Sequence, residues 1–176
     1  TAVETAKGLV AAGSAVVANS SAPDTLLKLV GRSHLPTALA DRVATMTPSL
    51  SCAVVYLGLD RNWALEGWPH HGCYASATGD PEADYASALA GDWDKVFIGI
   101  TNNSVLDTPA PAGGSVMSLF ALAPMDYEEQ WGTGGDFADY GRNPRYLALK
   151  DQVEQALLAR AERYLPGLGA SIVYKE

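Results

Sequence analysis

Apolar residues recur along this chain in three long runs, separated by connections rich in glycine and proline. The first lies in Pro48 to Asp60, PSLSCAVVYLGLD, where Ala53-Val54-Val55-Tyr56-Leu57 stays apolar and Gly58, Asp60 and Asn62 supply turn chemistry. No polar alternation interrupts it, so the run predicts a strand buried on both faces. KVFIGIT from Lys95 to Thr101 and SVMSLFALA from Ser115 to Ala123 have the same character. Ala15-Val16-Val17-Ala18 predicts a short buried strand before them, Cys73 to Thr78 another, and Ser171 to Tyr174 a last one. Thr1 to Gly13 is weakly patterned and reads as an approach segment.

Helical spacing fills the intervals. Ser21 followed by Asp24, with Pro23 between them, predicts a helix start. Leu26, Leu27, Leu29 and Val30 form its apolar face, and Gly31 is placed to end it. Leu35, Leu39, Val43 and Met46 predict a second helix, stopped at Thr47-Pro48. Asp80-Pro81 predicts a capped helix to Ala90, closed by Gly91. Asn143-Pro144 starts the longest helix, to about Leu165, with Leu149, Val153, Ala156, Leu157, Ala161 and Tyr164 as its stripe. Lys150, Asp151, Glu154 and Arg160 are expected on its wet sides. Asp107 to Gly114 reads as a semi-rigid proline-rich connection, and Asp126 to Gly141 as irregular. The sum is an α+β domain: a mixed or mostly antiparallel sheet of about four to six strands, with helices packed on one face.

Length and composition support one domain with a sizeable core, since the 176 residues are 48% hydrophobic and 18% charged. A net charge of −8, with no local basic cluster, argues against nucleic acid as a partner. No run reaches the roughly 18 apolar residues of a membrane span, so no transmembrane segment is expected. Cys52 and Cys73 are too few for a disulfide framework and read as buried, reduced thiols, which fits a cytoplasmic setting. The chain opens without methionine and stops inside a strand pattern. These ends predict an internal domain cut from a longer protein, residues 1–176 forming one unit.

Motifs of catalysis are sparse. No glycine-rich phosphate loop follows a strand; Gly132-Thr133-Gly134-Gly135 lacks the strand-to-helix setting. There is no nucleophile elbow, no Cys-x-x-Cys and no helical histidine pair for a metal. No catalytic side chain and no metal ligand is assigned. Asn19-Ser20-Ser21 and Asn102-Asn103-Ser104 match the glycosylation triplet, a pattern common by chance. His70-His71 is the one constellation of titratable groups, readable either as one imidazole facing a pocket or as two polar residues at a strand start. Trp63, Trp68, Trp93 and Trp131 could line an apolar groove, although such residues more often serve as core.

Several stretches, taken in order, resemble the FAD-dependent phytoene desaturase, carotenoid isomerase and retinol saturase superfamily. Ala15-Val16-Val17-Ala18-Asn19-Ser20-Ser21, then Thr25-Leu26-Leu27, is similar to the family's "VVSNADP…TL" segment. Pro48-Ser49-Leu50-Ser51 with Tyr56-Leu57-Gly58-Leu59 resembles its "PSxSxFxxYLGL" strand, and His70-His71 falls where members carry a His-His or similar pair. Asp107 with Ala110-Pro111-Ala112-Gly113 is similar to the "DPSLAPEG" loop, with Leu122-Ala123-Pro124 after it. Trp131, Tyr146 and Lys150, then Leu165-Pro166-Gly167-Leu168, follow the trailing "W…Y…K…PGL" pattern. Two positions depart from the family: Ser20-Ser21 replaces the acid after Asn19, and Ala112 stands where an acid precedes the glycine.

The resemblance implies the substrate-binding domain of an FAD-dependent oxidoreductase, with the sheet of flavin amine oxidase-like enzymes. The parent protein would desaturate, saturate or isomerise carbon–carbon double bonds of a carotenoid-like polyene or isoprenoid. It implies FAD in the parent and none in this fragment, whose partners are the hydrophobic substrate and the flanking flavin domain. Asn19 would lie near the flavin; Ser49, Ser51, His70 and His71 would face the substrate cavity. Peripheral membrane contact of the parent is compatible with such a substrate. The rival expectation is a stand-alone module that binds apolar ligands or a partner without catalysis.

Overall fold

The computed structural model describes residues 2–47, 49–106, 110–125, 130–133 and 140–176. Part of the proline-rich connection, most of the stretch expected to be irregular, and Pro48 lie outside these. The chain forms two compact units, Thr1–Pro48 and Ser49–Glu176.

The first unit opens with a hairpin where only an approach segment is expected. Strands β1 (Ala2–Thr5) and β2 (Gly8–Ala11) pair antiparallel around Ala6-Lys7, and Gly8 takes φ +109° at the turn exit. The expected strand at Ala15–Ala18 does not form: Val17 is 92% exposed and the stretch takes part in no ladder. An apolar run becomes a strand only where a neighbour takes its backbone groups. The start of the next helix is as expected. Ser21 Oγ accepts from the Asp24 amide at 3.1 Å and donates to Asp24 Oδ2 at 2.7 Å. Over Asp24–Gly31 the winding is that of a π-helix, and Leu29 and Val30 stay exposed. Helix α1 (Thr37–Ala44) follows Pro36 and buries Ala40 and Val43, whereas Met46 is exposed.

The second unit holds a five-stranded sheet of β3 (Ser51–Leu59), β4 (Gly72–Ala75), β5 (Ile98–Asn102), β6 (Ser115–Ala123) and β7 (Ile172–Lys175). Its order is β4-β5-β6-β3-β7, and each neighbouring pair runs antiparallel. This is an α+β fold. One sheet face carries Val55, Leu57 and Leu59 beside Met117, Leu119 and Ala121, then Ile98 and Ile100. Helix α3 (Pro144–Glu162) adds Val153, Leu157 and Ala161 to this core, and α2 (Pro81–Ala90) adds Ala88. Burying each large side chain contributes about 1.5–3 kcal/mol over leaving it exposed. Arg160, expected on a wet side of α3, is only 3% exposed. Its guanidinium is pushed below the usual arginine range by burial, which outweighs the pull of Tyr164, Asp84 and Asp94.

Both long helices begin where their sequence predicts. The Asp80 side chain accepts from the Glu82 amide at 3.0 Å, and Gly91 closes α2 at φ +67°. Asn143 Oδ1 accepts from the Arg145 and Tyr146 amides at 3.0 and 3.2 Å, while its Nδ2 donates to the Gly132 carbonyl at 2.9 Å. Asn143→Ala removes the cap and the tie together. The expected loss is about 1–2 kcal/mol, at the upper end for a cap, read as a lowered urea midpoint with unchanged slope. An unchanged midpoint would refute the assignment.

Candidate functional site

The opposite face of the sheet is the most distinctive surface of this unit. Period two sends Val55, Leu57 and Leu59 into the core and turns Cys52, Val54 and Tyr56 outward, all three exposed. Thus β3 is not buried on both faces as its composition predicts, and Cys52 is not a buried thiol. Its outward residues are apolar all the same. The register extends them into rows across the sheet: Val54 opposite Phe120, Phe120 opposite Gly99, Gly99 opposite Tyr74. One step along, Cys52 lies opposite Leu122, which the same register sets beside Phe97.

Aromatic rings form the floor of this face. Tyr74 stacks on Phe97 with centroids 5.8 Å apart and meets Phe120 edge-on at 6.0 Å; Phe97 and Phe120 are 6.4 Å apart. Gly99 makes the arrangement possible. A Cβ at that position would stand 2.0 Å from Phe120 Cε1, so the ring lies flat over β5 only because nothing projects there. Tyr74 is 68% and Tyr56 53% exposed, which leaves a carbon-rich surface in contact with solvent.

Among the cavities formed by the described residues, two bear on the open face and on the residues named from sequence. One, of about 360 Å³, opens beside the aromatic floor between Phe97 and Leu122 on the sheet and Pro81, Asp84 and Tyr85 of α2, with Ser76 and Gly79 at its edge. The other, of about 430 Å³, lies between the first half of β3 and α3 and includes Ser51, Trp131, Tyr146, Lys150 and Glu154 in its lining. Ser51 and the three residues of the "W…Y…K" pattern thus meet at one place. Trp131 and Tyr146 pack with centroids 5.9 Å apart, and Trp131 Nε1 donates to the Pro124 carbonyl at 2.8 Å.

The other residues named from sequence are dispersed. Ser49 is exposed ahead of β3, and Ser51 is half-buried on the helix side of the sheet. His70 and His71 are exposed in the loop before β4; His70 meets Trp68 edge-on at 5.9 Å, and the His71 carbonyl accepts from the Asn102 amide at 2.7 Å. Asn102 pairs with Met117, and Met117 with Leu57, so His71 is level with Leu57 and three strands away from β3. Ser51 is six residues along β3 from that level. The two therefore lie at opposite corners, about 20 Å apart along the strands and about 14 Å across them. Asn19 is exposed in the first unit. Trp63 and Trp131 are buried, and Trp68 and Trp93 pack against the same core, so the tryptophans serve as core. Asn102, the acceptor position of one glycosylation triplet, is fully buried and cannot be glycosylated in the folded chain.

What sequence reasoning missed is the aromatic floor. Its signal was present as outward positions two apart, Phe97 with Gly99 and Phe120 with Leu122, but it becomes visible only when the ladders set these pairs side by side. Among the described residues no group of His, Cys, Asp and Glu is arranged to hold a metal. No family model and no curated protein matches this chain.

Proposed function

We propose that the second unit is a substrate-binding element for a long hydrophobic molecule, a polyene or isoprenoid, and that the open sheet face is the wall on which that molecule lies. The observation that carries this reading is the uncovered floor of Tyr74, Phe97 and Phe120, continued by Val54 and Tyr56. Flat, polarizable rings suit an extended conjugated chain. Each methylene equivalent removed from water contributes about 0.8 kcal/mol. The ordered resemblance to the phytoene desaturase superfamily supports the same substrate class, with the domain acting inside an FAD-dependent oxidoreductase that desaturates, saturates or isomerises double bonds.

In this reading the flanking flavin domain supplies the redox chemistry, and the part assigned to this chain is positioning and exclusion of water. His70 and His71 stand at one corner of the sheet, at the rim of the proposed wall. Ser49 and Ser51 stand at the other end, with Ser51 turned to the helix side. An extended molecule crossing the face would span from the histidine corner to the exposed Ser49 corner, whereas a compact one would not.

Induced circular dichroism in the absorption band of a linear polyene hydrocarbon, delivered from detergent micelles, tests the proposal. Binding on a chiral protein surface gives a signal, and Phe120→Asp should remove it by placing a charge in the middle of the floor. A signal of equal strength in the variant would overturn the location, and no signal in either protein would overturn the function.

A further inference from the structure

We infer that the cavity beside α2 receives the hydroxyl-bearing end of an apolar ligand, with the Asp84 carboxylate as hydrogen-bond acceptor. This rests on the open face as the ligand wall and adds the chemistry of one end. The cavity, about 360 Å³, falls in the size range of small-molecule sites and shares Phe97 and Leu122 with the floor. Pro81, Tyr85, Phe97 and Leu122 give it carbon walls. Asp84 is the buried polar group of the lining, 7% exposed, while the exposed Ser76 stands at the edge.

That carboxylate is poorly served by the protein. Its hydrogen bond to a side chain is from Thr78 Oγ1 to Oδ1 at 3.1 Å. The same hydroxyl has the Asp80 carbonyl at 3.0 Å as a second acceptor, so one proton is shared between two oxygens. A carboxylate offers about four lone-pair sites, and Thr78 reaches one of its two oxygens. The first turn of α2 favours a negative charge, while its Glu82 amide is taken by Asp80 Oδ1 at 3.0 Å and the Asp84 amide by the Asp80 carbonyl at 3.0 Å.

The carbon walls select the kind of donor. Pro81, Tyr85, Phe97 and Leu122 would strip a ligand ammonium of its hydration, which is costly for a charge. A neutral hydroxyl donates to the carboxylate with far less hydration to lose. The ligand so described is a branched hydrocarbon carrying an alcohol at the end that enters the cavity.

Calorimetric titration of the chain with geraniol, its methyl ether and the matching hydrocarbon 2,6-dimethylocta-2,6-diene tests this, with aromatic and methyl NMR shifts as locator. The expected result is binding of the alcohol at least about ten-fold tighter than the ether or the hydrocarbon, with shifts at Tyr85 and Leu122. The ligand series needs no variant, which matters because Asp84→Leu also removes the carboxylate that accepts from Thr78 Oγ1 and changes a buried side chain. If Asp84→Leu folds, it should bind all three ligands alike. Equal affinities for alcohol and ether on the natural chain would overturn the inference while leaving the open face intact. So would shifts confined to Tyr74 and Phe120. Absence of any shift on either surface would remove the function proposed above as well.

Discussion

Gly99→Val is expected to destabilise the second unit by about 1–3 kcal/mol, the usual cost of overpacking, and to abolish polyene binding. The new side chain cannot coexist with Phe120, whose ring atoms lie 2.0, 2.5 and 2.6 Å from the Cβ position. The ring must swing off β5, which breaks its contact with Tyr74 and its approach to Phe97. The cause can be isolated by a double-mutant cycle. In a Phe120→Ala background the valine should cost much less, because nothing remains to be displaced, and the two changes should be strongly non-additive. Additive effects would mean that the glycine serves the backbone of β5, not the floor.

The second large effect separates neighbouring residues. Leu57 is 1% exposed and packs in the core, whereas Tyr56, one residue earlier on β3, is 53% exposed on the open face. Leu57→Ala should cost about 2–5 kcal/mol in an equilibrium urea titration. Tyr56→Thr, which keeps a β-branched strand former, should stay within about 0.5 kcal/mol yet weaken the polyene signal several-fold. Comparable losses of stability would show that both faces of β3 are buried, as its composition alone suggests.

That contrast shows what could be read from the sequence. Helix ends were legible because their chemistry is local: Asp80 with Pro81 and Gly91, and Asn143 with Pro144, mark boundaries within a few residues of themselves. The β6 span Ser115–Ala123 was equally plain. Burial of β3 was not, because an apolar residue on a strand is covered only if another element lies over it, and the sequence of β3 does not say which face α3 takes. Ala15–Ala18 failed for the related reason that a strand needs a partner, and the nearby chain spends its pairing on β1 and β2. Arg160 looked like a wet residue by type, yet its place on α3 buries it to 3% exposure.

The site was legible only in part. Trp131, Tyr146 and Lys150 were named by resemblance and do share a cavity with Ser51, although they are separated along the chain. His70-His71 and Ser49-Ser51 were grouped by the same resemblance, and the sheet holds them at opposite corners. The floor of Tyr74, Phe97 and Phe120 draws on three strands and on the absence of a side chain at Gly99, a combination that no single stretch encodes.

The central claim is that a long apolar ligand lies on the open sheet face. Its most direct test is side-chain NMR of the chain during titration with the polyene. Progressive shifts of Tyr56, Tyr74, Phe97 and Phe120 are expected, with Leu57, Leu119 and Leu157 unmoved. Shifts centred on Leu119 and Leu157, or on Trp131 and Tyr146 in the cavity beneath α3, with the open-face rings silent, would contradict it.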